Sequence, residues 1–453
     1  MQSVANLARI STRLISLFLL SGAVFLLAAA AGQAAPLPLV DKRVHMGVAT
    51  CAGSTCHGAV EPWKGSNIKQ NEFVLWQRKD KHAKAYQTLL SDRSKRIARN
   101  LGLKSAQTAK VCLDCHADNV PLKQRHRSFQ ISDGVTCEAC HGGAGTWIGT
   151  HIAANATHKI NIQNGLYDAA NPVDRARLCL SCHFGDDKRF VTHRIMGAGH
   201  PRMSFELDTF TSTQPAHFKV DADYRKRKGN WNGVQTWAIG QALSFRMILD
   251  VLADPKRGVD GIFPELVVFD CYTCHHRMSN LKWQPRKTVG LEPGIPRIND
   301  ANLLMLQIIA TQVDANIGNQ LQQRMLALHA ATRKSRAALL AEVNTLRGII
   351  DKLVIRFSTH RFAKADMMAL FNGVIAKGLS GEYFDYPGAE QATMALSAII
   401  NAMRNTGVIN AAAFKRLDAA LDKCFDAVEK DEAYVPVKFI AALKAVKASA
   451  PGK

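Results

Sequence analysis

Ten of the chain's eleven cysteines sit in short pairs, and each pair is followed at once by histidine. Four pairs are regular: Cys112-Leu-Asp-Cys115-His116, Cys137-Glu-Ala-Cys140-His141, Cys179-Leu-Ser-Cys182-His183 and Cys271-Tyr-Thr-Cys274-His275. This spacing is the signature of covalent c-type haem attachment. Two thiols one helical turn apart can add to the two vinyl groups on one porphyrin edge, and the adjacent histidine then lies under the iron. A fifth run, Cys51-Ala-Gly-Ser-Thr-Cys56-His57, is two residues longer. Gly53 and Ser54 allow that loop to bulge while both sulfurs still reach one porphyrin, and a single bond through Cys56 is the alternative. Zinc, the main rival for paired cysteines, closes at four ligands and does not call for five pairs each trailed by histidine. The expected cofactors are five covalently attached haems, with His57, His116, His141, His183 and His275 beneath the irons.

The remaining histidines follow the cysteines. Eleven are left once the five proximal ones are removed, and nine of these fall between His45 and His276. A second imidazole on the far side of an iron makes it six-coordinate and low-spin, whereas a site without one keeps an open face. Five sites need at most five such ligands, so at least four of the nine must do something else. His45, His126 and His158 are expected at the surface or against propionates, and His329 packed on a helix. Cys424 lies on an apolar helical stripe and is expected to be a small buried residue.

Trp76 with His82, the run Gly134-Val-Thr-Cys137-Glu-Ala-Cys140-His141, and Gly199-His200-Pro201-Arg202 resemble the cytochrome c-554-like multihaem family. The resemblance runs from about Cys51 to His276. It implies ligands that cross between sites distant in sequence: His151 opposite His57, His82 opposite His183, and His193 opposite His141 with His200 as second choice. The site of His116 corresponds to the position at which the family can lack a strong distal ligand. The chain departs from the tetrahaem pattern in its fifth site, in its longer first spacing and in the residues that follow the last haem. The fifth site's distal ligand is therefore open, with His200 and His217 as candidates. His276 directly follows the proximal ligand and should point away from that iron.

Positioning these residues calls for a mainly α chain with little regular sheet. The haem-bearing part is expected over 35–299, with short helices such as Phe73–Leu90, carrying His82, and Trp237–Leu252. Porphyrins would supply much of the apolar interior there, consistent with only 7% aromatic residues. From about residue 300 to 453 no further attachment motif occurs, and apolar residues recur at three- and four-residue spacing. That pattern predicts a helical bundle, with helices near 300–331, 333–356, 361–378, 387–405, 411–429 and 435–447. Ahead of both parts, Arg9 and Arg13 precede an uncharged stretch from Leu14 to Ala31 and a small-residue site near Ala34. This reads as a signal peptide over 1–34 directing the chain to the periplasm, with an uncleaved leader anchoring it to the membrane as the alternative.

The chain has 453 residues, 47% of them hydrophobic and 21% charged, and a formal charge of +21. This is a globular composition, not a disordered one. Loss of Arg9 and Arg13 with the leader would leave +19, and about ten propionate charges would offset part of that. Arg93, Lys95, Arg96 and Arg99 form one basic cluster, and Arg225 to Lys228 another. These suit a solvated face, an acidic redox partner or an anionic membrane surface; nucleic acid is not expected in that compartment. The expected function is electron transfer between periplasmic or membrane-bound redox proteins. The alternative is an oxidoreductase acting on a small nitrogen or sulfur compound at a five-coordinate haem.

Overall fold

The computed structural model describes residues 35–275, 286–292 and 294–450; the leader and His276 lie outside them. From Leu37 onward the chain forms one compact unit. Among the described residues the regular structure is helical, and the only β pairing is three isolated bridges, such as His45 with Arg125.

The first part is a set of short helices between turns: α1 (Glu72–Lys79), α2 (Asp92–Asn100), α3 (Lys110–His116), α4 (Cys137–His141), α5 (Ile148–His151), α6 (Pro172–His183), α7 (His193–Gly197) and α8 (Leu207–Thr213). The single helix expected over Phe73–Leu90 is broken. Asp80 turns extended after α1, and its carboxylate accepts a hydrogen bond from the His82 amide. His82 is thus carried on a separate 3-10 turn, His82–Lys84. A short acceptor side chain competing locally with the helical ladder is the reason.

α9 (Gly233–Ala253) is apolar nearly all round and almost wholly buried, as expected for a helix enclosed by others. Against it pack α10 (Ala301–Val313), α12 (Arg336–Thr359) and α14 (Tyr386–Asn405), and on those pack α11 (Ala315–Thr332), α13 (Lys364–Leu379), α15 (Ala411–Ala427) and, on α13 and α15, α16 (Pro436–Ala448). The helix expected over 300–331 is two, because Asp314 leaves the helical region and its carboxylate caps the amides of Asn316 and Ile317. One apolar core runs from Ala176 and Leu180 on α6, through Trp237 and Phe245 on α9, to Phe439 and Val446 on α16. The attachment helix α6 is therefore seated on the bundle. Cys424 is fully buried in that core, as expected. Among the described residues no helix is long and apolar enough to cross a membrane.

Candidate metal centres

Each attachment run is a short helix or turn that puts its histidine just past the second cysteine. In the fifth, the His275 amide donates to the Cys271 carbonyl at 2.7 Å. In the longer first run, the His57 amide donates to the Cys51 carbonyl at 3.1 Å. The two extra residues are absorbed by a turn in which the Cys56 and Gly58 amides both bond to the Gly53 carbonyl. Gly58 is obligatory there, since a Cβ would fall 1.9 Å from the Ala52 carbonyl oxygen.

The five proximal rings each face a second imidazole. His57 faces His151 with ring centroids 6.0 Å apart, His183 faces His82 at 6.1 Å, His275 faces His193 at 6.2 Å, His141 faces His217 at 6.3 Å and His116 faces His200 at 6.4 Å. A metal–imidazole bond is about 2.0 Å and the ligating nitrogen sits about 1.1 Å from the ring centre, so two imidazoles sharing one iron hold their centroids about 6.2 Å apart. All five spacings fall at that value, and the donor set is the one haem iron takes. The residues present fit the group.

Several of these rings have Nδ1 engaged, which leaves Nε2 for the metal. His57 Nδ1 meets the Glu72 carboxylate at 2.9 Å, His82 Nδ1 the Asp80 carboxylate at 2.9 Å, His116 Nδ1 the Ala85 carbonyl at 3.1 Å and His200 Nδ1 the Pro201 carbonyl at 2.8 Å. Burial, helped by the facing ring, pushes His141 down to about 3 and His183 down to about 4. Both are held neutral, the form that ligates.

Neighbouring elements fix the distal rings. Arg93 on α2 donates twice to the Gly199 carbonyl, at 3.0 and 2.8 Å, and Asn100 donates to the Ala198 carbonyl. These bonds hold the turn that presents His200, so one basic residue of the first cluster is structural. The Gln214 amide donates to Asp80 at 2.9 Å and ties the His217 loop to the partner of His82. Glu138, inside the third attachment run, accepts from the amides of Met46, Gly47 and Ala144, each at 2.7 Å. The attachment runs also approach one another: Cys51 lies beside Cys137, and Cys115 beside Cys182.

The pairings of His151 with His57 and of His82 with His183 are those the resemblance implied. The other three differ. His193 faces His275 instead of His141, His217 faces His141 instead of His275, and His200 faces His116, the position that could have lacked a partner. The reason is tertiary, because these partners lie some eighty residues apart and their loops meet only when the chain is folded. Among the remaining histidines, His45 is not at the surface. It is fully buried, with Nδ1 2.9 Å from the Asp118 carboxylate. His158 pairs with Asp168, His126 with Ser128, and His329 is buried with Nδ1 donating to the Met325 carbonyl.

Residues 50–142 match the family model described as cytochrome c554 and c-prime. No curated protein and no solved structure matches the chain. The matched segment holds the first three attachment runs, to within one residue at its C-terminal end. The segment is similar to cytochrome c554 and c-prime, and this likeness supports a c-type cytochrome, a class that carries covalently bound haem and transfers electrons.

Proposed function

We propose that this chain is an exported electron carrier with five c-type haems, each held between two histidines, working between redox proteins outside the cytoplasm. The observation that carries the reading is the set of five imidazole pairs at 6.0–6.4 Å. Haem, when bound, supplies one-electron chemistry at its iron.

The chain's own residues do the rest. Ten cysteines fix position through covalent bonds. The proximal and distal imidazoles offer the same two nitrogens in either oxidation state, so little need rearrange when an electron arrives or leaves. Each iron would be held by two imidazoles from the protein, which would leave no place for a substrate and favours a carrier over an oxidoreductase. Hydrogen bonds to Nδ1 orient the rings, and the carboxylates of Glu72 and Asp80 make theirs more electron-donating. The closeness of Cys51 to Cys137, and of Cys115 to Cys182, brings the first and third attachment edges together, and likewise the second and fourth. Such proximity supports short transfers between them.

Mass spectrometry of the mature protein tests the reading. Five haem masses on a chain beginning near Ala35 are expected. Fewer than five, or a chain that retains the leader, would contradict the corresponding part of it.

A further inference from the structure

A cavity of about 90 Å³ lies between the fourth and fifth centres, with His183 on one wall and Cys271 on another. Arg202 and Glu390 both line it. Arg202 comes from the turn after His200 and Glu390 from α14 of the bundle, so the pair crosses from the haem-bearing part to the helical part. The geometry is fixed from several sides. Arg202 Nη2 donates to Glu390 Oε1 at 2.9 Å, the guanidinium lies 4.9 Å over the Tyr386 ring, and the Tyr386 hydroxyl donates to Glu390 at 3.1 Å. Asp431 stands 3.6 Å from Arg202 Nε, too far for a normal hydrogen bond, and that nitrogen is buried without an acceptor. The same wall reaches the fourth centre, because Gln391 donates to the Phe205 carbonyl and Phe205 stacks on His183 at 4.8 Å.

We infer that the Arg202–Glu390 pair is the device by which the helical bundle sets the reduction potential of the fifth centre. The inference rests on the five-centre reading and gives the haem-free helices a redox role. A fixed cation beside Cys271 favours the state with one more electron, and the carboxylate opposes it. In a partly enclosed site neither charge is fully screened. Arg202 touches neither iron ligand of that centre; it acts through its charge and is a positioning residue.

The test is a spectropotentiometric titration of the holoprotein. R202Q is expected to lower the midpoint of one centre by about tenfold in its equilibrium constant, about 59 mV for one electron. E390Q keeps a hydrogen-bond acceptor for Arg202 and should raise the same centre. R202K should restore most of the wild-type value. The centre is identified by H193M, which alters the spectrum of the fifth site. Shifts of the same sign in both variants would mean mere loosening and would overturn the inference. A shift at the centre of His183, or none at any centre, would overturn it too. If R202Q does not fold, E390Q alone decides by the sign and place of its shift. A haem count below five in the wild-type mass spectrum is a different failure, that of the five-centre reading.

Discussion

At the scale of single residues, His200 is the most informative. Its ring stands 6.4 Å from that of His116 and its Nδ1 is held by the Pro201 carbonyl. H200A should convert one ferric centre to high spin and leave four low-spin; absorption and paramagnetic resonance spectra showing all five unchanged would remove the assignment. His45 tests a different contact. Burial draws its pKa down, but the hydrogen bond and charge of Asp118 outweigh burial and raise it. A raised pKa means the pair's contribution is complete below the ordinary value of about 6.5 and drains as pH climbs through the folded value. H45A strands the buried Asp118 carboxylate and should cost about 3–5 kcal/mol near pH 6. Thermal melts of wild type and variant should differ less as pH rises to about 9; a gap that widens with pH would contradict the pair.

At the scale of elements, the sequence carried the attachment sites and little of their pairing. Cysteine and histidine spacing is local, so the five short runs that place a histidine just past a cysteine were legible, as were the bundle helices. Partners such as His193 and His275 meet through loops fixed by Glu265, whose carboxylate accepts from the His193 amide. No periodicity announces that bond. Helix breaks at Asp80 and Asp314 were missed because one side chain satisfying nearby amides outweighs the surrounding helical pattern. The irregular first site was legible in its glycine and serine but not in its closure. G58A would drive a methyl into the Ala52 carbonyl. The expected outcome is a holoprotein lighter by one haem, with the other four attached; full five-haem occupancy would show that the turn is not needed.

At the scale of the whole molecule, one core joins α6, α9 and α10 to α16, so the helices without attachment motifs and one of the attachment helices are a single packed body. The ring pairs fall into two classes across it. His57 with His151 and His193 with His275 are inclined by 19° and 33°, while the other three pairs cross at 81° to 89°. Near-parallel imidazoles split the two iron orbitals they donate to and give a rhombic low-spin signal. Crossed imidazoles leave those orbitals nearly degenerate and give one large g value. Quantitative electron paramagnetic resonance of the fully oxidised protein tests the central claim most directly. Five low-spin irons are expected, two rhombic and three strongly anisotropic, with no high-spin iron. A high-spin signal integrating to one or more irons per chain would contradict the account.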